Sequence, residues 1–307
     1  MKIIVAGING FIGRNVAKYF AEKGVSIVGI DLQNSIAPFL ESFSNIEYHV
    51  LPQQGYSSLE KEIPISSISC FINLAWIGVS QNNRDNLHTQ IGNLDSYLDS
   101  YALANRLCIP KYLCPGSVTE FELLKNIYLD EANLKYNNVA YSISKVLSRC
   151  VIQELSLSNF TKIVWAVLPN VYGPTDTSNR FLAFSLRQML MGNDLELTKC
   201  EQLVDFVNIS DVAKAFYLLA TRDLHYNNYF VGSGKPFVLK EALLTISKLI
   251  GYKGSLKYAA VTFEGVSLKP ECFSIKRIKQ DTGYVPTVSF ENGVQELIGY
   301  LLNEKTS

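Results

Sequence analysis

Short runs of consecutive apolar residues alternate with longer stretches whose apolar residues recur at helical spacing, and this alternation fills the first half of the chain. Residues 2–6 read as a first buried strand, and residues 14–23 carry Val16 and Phe20 four apart, on one face of a helix. Further strands are predicted over 26–30, 46–51, 69–74, 111–114 and 162–168. Long helices are predicted over about 85–106 and 139–155. Strands that alternate with helices of this length require right-handed crossovers and a parallel sheet covered on both faces, which is a doubly wound α/β fold.

Beyond Pro174 the pattern loosens. A helix over 181–191, a strand over 204–209 and helices over 211–221, 239–250 and 290–302 predict a smaller, mixed α/β lobe. Residues 1–170 are expected to form a dinucleotide-binding domain of the Rossmann type and 171–307 a substrate-binding lobe. No linker separates them, so the two are expected to interleave. No internal repeat or low-complexity segment interrupts the chain.

Composition narrows the partners. Lys plus Arg and Asp plus Glu number 28 each among 307 residues, so no overall field draws the protein to nucleic acid or to an anionic membrane. No apolar run is long enough to span a bilayer and no signal-peptide pattern precedes the first strand, so a cytoplasmic location is expected. The six cysteines are scattered without a C-x-x-C pair and read as reduced core thiols. The three histidines stand apart from one another, and no metal site is expected.

Two motifs carry chemistry. Gly7-Ile8-Asn9-Gly10-Phe11-Ile12-Gly13 lies between the first strand and the first helix, where a helix N-terminus can meet a pyrophosphate. Gly7 permits the tight turn, Gly10 lets the backbone approach the phosphates, and Gly13 allows helix and strand to pack closely. The spacing is G-x-x-G-x-x-G, where the commonest fingerprint is G-x-G-x-x-G. Asp31, with Leu32 beside it, ends the second strand roughly 20 residues beyond the glycines, placed to accept hydrogen bonds from ribose hydroxyls. Its charge would repel a 2′-phosphate. It therefore favours NAD(H) and leaves NADP(H) as the less favoured cofactor.

Tyr141-Ser142-Ile143-Ser144-Lys145 is the second motif. A tyrosine ionises near pH ~10 and exchanges a proton poorly at neutral pH, but a lysine at i+4 shares its helix face and can lower that value. Ser117, after the fifth strand, offers the hydroxyl that would hold a reacting carbonyl oxygen. Y-x-x-x-K alone is a common surface pair. Its place after the fifth strand, with Ser117 ahead of it, favours the catalytic reading.

With these motifs, the chain resembles the extended short-chain dehydrogenase/reductase family, and within it the NAD-dependent epimerase/dehydratase group that acts on nucleotide-diphosphate sugars. The resemblance spans Gly7 to Gly13, Asp31, Asn73-Leu74-Ala75, Gly116-Ser117, Tyr141 to Lys145, Asn170-Val171-Tyr172-Gly173-Pro174 and Asp205 to Ala213. It implies Tyr141 as acid/base, Lys145 also as holder of the nicotinamide ribose, and Ser117 as the group that polarises the carbonyl. It implies cofactor contacts at Leu74 and Ala75 as well as at the residues of the glycine turn, Asn9, Phe11 and Ile12 among them. Asn170 would lie at the sugar-nucleotide site, with Thr119 and Arg180 as further substrate candidates, and a homodimer would form through the helices over 85–106 and 139–155.

Two departures bear on the reaction. The 4,6-dehydratases of the group resemble T-D-E where this chain has Ser117-Val118-Thr119, and valine and threonine cannot supply a carboxylate acid/base pair. Before Asp205 the family carries an arginine for the substrate pyrophosphate, and this chain has Val204. Lys269, Arg180 or Arg277 would have to compensate. The resemblance leaves a 4-ketoreductase acting on a 4-keto-6-deoxy sugar nucleotide as the favoured reading, an NAD-dependent 4-epimerase as its alternative, and a non-catalytic dinucleotide sensor as a third.

Overall fold

The apolar runs of the first half assemble into a seven-stranded parallel sheet. The computed structural model describes residues 1–51, 55–62, 67–79, 83–129, 139–176 and 178–304. In chain order the first half comprises β1 (Lys2–Ala6), α1 (Phe11–Glu22), β2 (Ser26–Asp31), β3 (Ile46–Val50), β4 (Ile68–Asn73), α2 (Leu87–Arg106), β5 (Lys111–Ser117), α3 (Thr119–Leu129), α4 (Val139–Ser158) and β6 (Lys162–Leu168). The second half supplies β7 (Asn170–Tyr172), α5 (Phe181–Leu190), β8 (Leu195–Glu196), β9 (Leu203–Val204), β10 (Phe206–Asn208), α6 (Ile209–Thr221), β11 (Asn228–Phe230), β12 (Phe237–Val238), α7 (Leu239–Ile250), β13 (Leu256–Lys257), α8 (Lys276–Thr282) and α9 (Phe290–Glu304).

The sheet order is β11-β6-β5-β4-β1-β2-β3, so the winding reverses between β1 and β4. This is the doubly wound Rossmann-type arrangement that the apolar pattern predicts. The carboxyl ends of β1 and β4 at this reversal are the place where such sheets bind ligands. On one face Val16, Ala17 and Phe20 of α1 meet Val212, Phe216 and Leu219 of α6 in a buried layer. On the other, Tyr97, Tyr101 and Ala104 of α2 and Ile152 of α4 close over Phe71, Tyr112 and Trp165. Burying each such ring or aliphatic chain stabilises by about 1.5–3 kcal/mol, which is why both sheet faces carry continuous apolar runs.

The second half is threaded into this sheet. β11 pairs with β6 at its edge, and α6 packs beside α1. A third cluster, with Leu186, Met189, Leu243, Ile246, Val294 and Leu297, forms the smaller lobe, supported by the two-stranded pairs β7–β10, β9–β12 and β8–β13. β11 is too short for periodicity to reveal it.

Most element boundaries differ from those predicted by a few residues, and three of the differences have a local reason. The helix expected from residue 14 begins at Phe11, because Gly10 takes an extended N-cap conformation. The strand expected over 204–209 is broken at Asp205, whose carboxylate turns to accept the N–H groups of Ser233 and Gly234. It ends at Asn208, whose side chain accepts the Ser210 N–H and so caps α6. The fifth strand continues to Ser117, which is therefore its last residue. Among the described residues no helix is long and apolar enough to cross a membrane.

Candidate active site

Gly7 follows the end of β1 at the topological reversal, in a left-handed conformation with φ +74°. A Cβ there would come within 2.6 Å of the Ala75 nitrogen. That proximity is enforced from the other side: Leu74 N–H donates to the Ala6 carbonyl, and Asn73 Oδ1 accepts the Ala75 N–H at 3.0 Å. Asn73 is itself held by bonds from its Nδ2 to Ser100 and Tyr112. The glycine turn and the Leu74-Ala75 segment thus form one rigid edge.

The three glycines are separated by geometry. A side chain at Gly13 would collide with the Gly7 carbonyl, so that position serves packing. One at Gly10 would meet only the Gly7 oxygen, at 3.3 Å, and otherwise open space. The first turn of α1 has no side-chain cap and no acidic residue, leaving its N–H groups and the positive end of the helix dipole for an anion. These features fit a dinucleotide pyrophosphate.

Asp31 stands at the same edge, its carboxylate accepting the Asn9 N–H at 2.9 Å and the Leu32 N–H at 2.8 Å. Leu32 is exposed beside it. The Asn9 side chain is spent on scaffold: it donates to the Ser35 carbonyl and Tyr48 hydroxyl and accepts from the Ala37 N–H. Its contribution is to brace the loop after β2.

α4 brings Tyr141 and Lys145 under the ends of β4 and β5. The Ser117 side chain lies close enough to the Tyr141 hydroxyl to favour its ionised form. Ser117 Oγ in turn accepts from the Thr119 hydroxyl at 3.0 Å, which frees its own proton to point toward an oxygen in the cleft. Thr119, Ser117 and Tyr141 therefore gather three hydroxyls able to hold and protonate a developing alkoxide. Burial pushes the Tyr141 phenol up, and the Arg84 guanidinium, 4.8 Å from the ring centroid, is the chief opposing influence.

Lys145 is also buried. Its Nζ donates to the Pro115 carbonyl at 3.0 Å and lies 3.5 Å from the centroid of the Trp76 ring. Burial draws its ammonium down to about 7, and the nearby Glu120 carboxylate opposes that fall. Spacing alone predicts Lys145 as the cation that acts on Tyr141. In the structure Lys145 Nζ lies 5.8 Å from the centroid of the Tyr141 ring while bonded to Pro115 and set over Trp76, and the Arg84 guanidinium lies nearer that ring.

The remaining candidates are more dispersed. Asn170 is exposed where β6 gives way to β7, its amide donating to the Asp205 carbonyl. Arg180 stacks 4.9 Å over the Phe11 ring and pairs with the buried Asp176 at 3.2 Å, which sets it beside the glycine turn. Ile12 follows Phe11 in the first turn of α1, partly buried against the core. Val204 pairs with Phe237 in β9–β12. Of the other cations that could replace an arginine there, Arg277 is stacked on Tyr226 and Lys269 is exposed. Among the described residues no group of three or more His, Cys, Asp and Glu could hold a metal ion.

Arg84, Trp76 and Glu120 escape the sequence reading. Arg84 lies in a polar loop without periodicity, and Trp76 follows the strand end as one more apolar residue. Glu120 does leave a signal: Ser117-Val118-Thr119-Glu120 is an S-x-x-E capping box, with Ser117 Oγ near the Thr119 N–H at 3.3 Å and Glu120 Oε1 accepting the Ser117 N–H. That pattern also announces α3, which the apolar spacing does not.

Comparison with known proteins bears on the family and the fold. Residues 3–232 match the model of the NAD dependent epimerase/dehydratase family. Two curated relatives are 22% identical: a CDP-abequose synthase of Salmonella typhimurium, covering 96% of this chain and 97% of its own, and a dTDP-4-dehydro-6-deoxyglucose reductase of Escherichia coli, covering 96% of each. Among solved structures, a UDP-glucose 4-epimerase of Thermotoga maritima superposes with a TM-score of 0.81 at 18% identity, over 99% of this chain and 100% of that one.

Proposed function

The chain belongs to the NAD-dependent epimerase/dehydratase family, and from that premise we propose that it is an NAD(P)-dependent oxidoreductase acting at C4 of a nucleotide-diphosphate sugar, specifically a 4-ketoreductase of a 4-keto-6-deoxy sugar nucleotide. The observation that carries the reading is the group of hydroxyls at Thr119, Ser117 and Tyr141, set beside the glycine edge. Gly7, Gly10, Gly13 and the first turn of α1 would hold the pyrophosphate, and Asp31 the adenosine ribose. Leu32, Leu74 and Ala75 would line the same edge. When bound, the nicotinamide supplies the hydride. Ser117 fixes the ketone oxygen, and Tyr141 gives it a proton as it becomes an alkoxide. Arg84 stabilises the phenolate that remains. Lys145 serves the nicotinamide ribose, while Asn170 and Arg180 face the substrate. Asp31, whose charge would repel a 2′-phosphate, favours NAD(H) over NADP(H).

Dehydration is disfavoured, since Glu120 is enclosed by protein partners and cannot reach a substrate. An NAD-dependent 4-epimerase remains the alternative reading, because a superposing structure is a UDP-glucose 4-epimerase. The relatives by sequence include a synthase and a reductase, which supports the reductase. The cofactor that survives purification separates the two. A reductase should emerge empty and exchange its dinucleotide freely. One equivalent of NAD released only on denaturation would instead indicate the epimerase.

The proposal includes a cytoplasmic homodimer. Adjacent helices α2 and α4 expose Leu87 and Ile91, and Ile143, Leu147 and Leu155, respectively, a paired apolar surface that a second copy would cover. Leu147→Glu is expected to convert a dimer to a monomer in sedimentation without changing the helix content. A wild-type protein that sediments as a monomer at micromolar concentration would remove the dimer from the proposal.

A further inference from the structure

Behind the strand end that carries Ser117 lies a wholly enclosed carboxylate. Glu120 is 0% exposed. Its Oε1 accepts the Ser117 N–H at 2.7 Å and the Trp165 indole N–H at 3.1 Å, and its Oε2 faces the Arg149 guanidinium at 3.3 Å. Gly116 makes room for this arrangement: a Cβ there would overlap the Trp165 indole nitrogen and come within 2.6 Å of Oε1. Burying a charge is costly unless it is paired and hydrogen-bonded, and here Oε1 is hydrogen-bonded while Oε2 is ion-paired to Arg149 without a hydrogen bond.

A capping box would need only an acceptor at this position. A charged one does more. The cations that act on Glu120 are Arg149 and Lys145, both from α4; Lys145 in turn feels Glu120, Cys114 and Arg84, and its Nζ lies 5.4 Å from the Tyr97 ring and 5.8 Å from the Tyr141 ring. Arg84 disfavours the ammonium, and Glu120 is the chief charge favouring it. The same side chain therefore touches one member of the catalytic group through the main chain and another through its field.

We propose that Glu120 is a positioning residue for the reaction: one buried carboxylate pins the main chain of Ser117 and supplies the negative charge against which the Lys145 ammonium is held. The inference rests on the functional reading above, in that it takes Ser117 and Lys145 as the working groups. Neutralising Glu120 while keeping an acceptor separates the capping role from the electrostatic one. Glu120→Gln does this. Glu120→Asp keeps the charge but withdraws the carboxylate from Ser117.

The test follows Lys145 directly, in protein labelled with carbon-13 at the lysine ε-carbons, with the Lys145 resonance identified by its loss in Lys145→Met. Wild-type Lys145 is expected to titrate near neutrality, and in Glu120→Gln at distinctly lower pH, because the favourable charge is gone. Turnover should fall about 10- to 100-fold in the Gln variant, as for outer partners of other reactive groups, with its alkaline limb moved to lower pH. In Glu120→Asp, Lys145 should titrate as in the wild type while turnover still falls through the loosened Ser117. An unshifted Lys145 titration in a folded Gln variant overturns the proposal. If the Gln variant does not fold, wild-type turnover in the Asp variant overturns it. A wild-type protein that turns over no nucleotide ketosugar refutes the functional reading, whereas the Lys145 titration still decides the action of Glu120.

Discussion

Tyr141→Phe is expected to lower turnover by ~10² to 10⁴, the range for loss of a general acid, while leaving dinucleotide affinity and thermal stability close to wild type. The substitution deletes one oxygen and keeps a ring that packs edge-on against Trp76 at 5.9 Å. Ser117→Ala should cost about 10² to 10³, as for a lost oxyanion donor. Arg84→Met tests what acts on the phenol. Without that guanidinium, burial raises Tyr141 unopposed by its principal cation, so the limb of the pH profile set by the phenol should move to higher pH. Lys145→Met should act chiefly on cofactor affinity. Steady-state turnover and its pH dependence check all four variants, and near-normal turnover in Tyr141→Phe would reduce the Y-x-x-x-K motif to a structural pair.

Gly10→Val is expected to abolish dinucleotide binding in a folded protein. Gly10 has φ −64° and ψ 163°, ordinary values for any residue, and its Cβ position meets only the Gly7 oxygen. The added methyls would instead occupy the space in front of the α1 N–H groups. Gly13→Val should behave oppositely and fail to fold, because its side chain would be driven into the Gly7 carbonyl. Calorimetric titration with NADH, alongside thermal melting, distinguishes the two. Wild-type affinity in Gly10→Val would displace the pyrophosphate from the turn.

The sheet was legible because its strands are buried on both faces and declare themselves as apolar runs; residues 162–168 are predicted with the bounds that β6 adopts. Elements set by capping or by tertiary pairing were not. β11 has three residues and exists because β6 offers it an edge. The strand over 204–209 is cut by Asp205, which reads as one polar residue until Ser233 and Gly234 are brought to it by the fold. The same distinction holds at the candidate site. Ser117, Tyr141 and Lys145 could be placed together because spacing on a strand and a helix fixes them, but the partners that tune them come from elsewhere. Arg84 reaches Tyr141 from a loop, and Trp76 reaches Lys145 from the end of β4. Asn9 was expected at the cofactor, and its side chain is bound to the loop beneath Asp31.

The most direct measurement is anaerobic mixing of the purified protein with NADH or NADPH and a panel of 4-keto-6-deoxy sugar nucleotides that differ in base, following the reduced nicotinamide and the ketone together. The predicted result is oxidation of the nicotinamide matched mole for mole by conversion of the ketone to a single 4-hydroxy epimer, faster with NADH and lost in Tyr141→Phe. A protein that binds the dinucleotide normally yet oxidises none of it with any of these ketosugars would contradict the assignment.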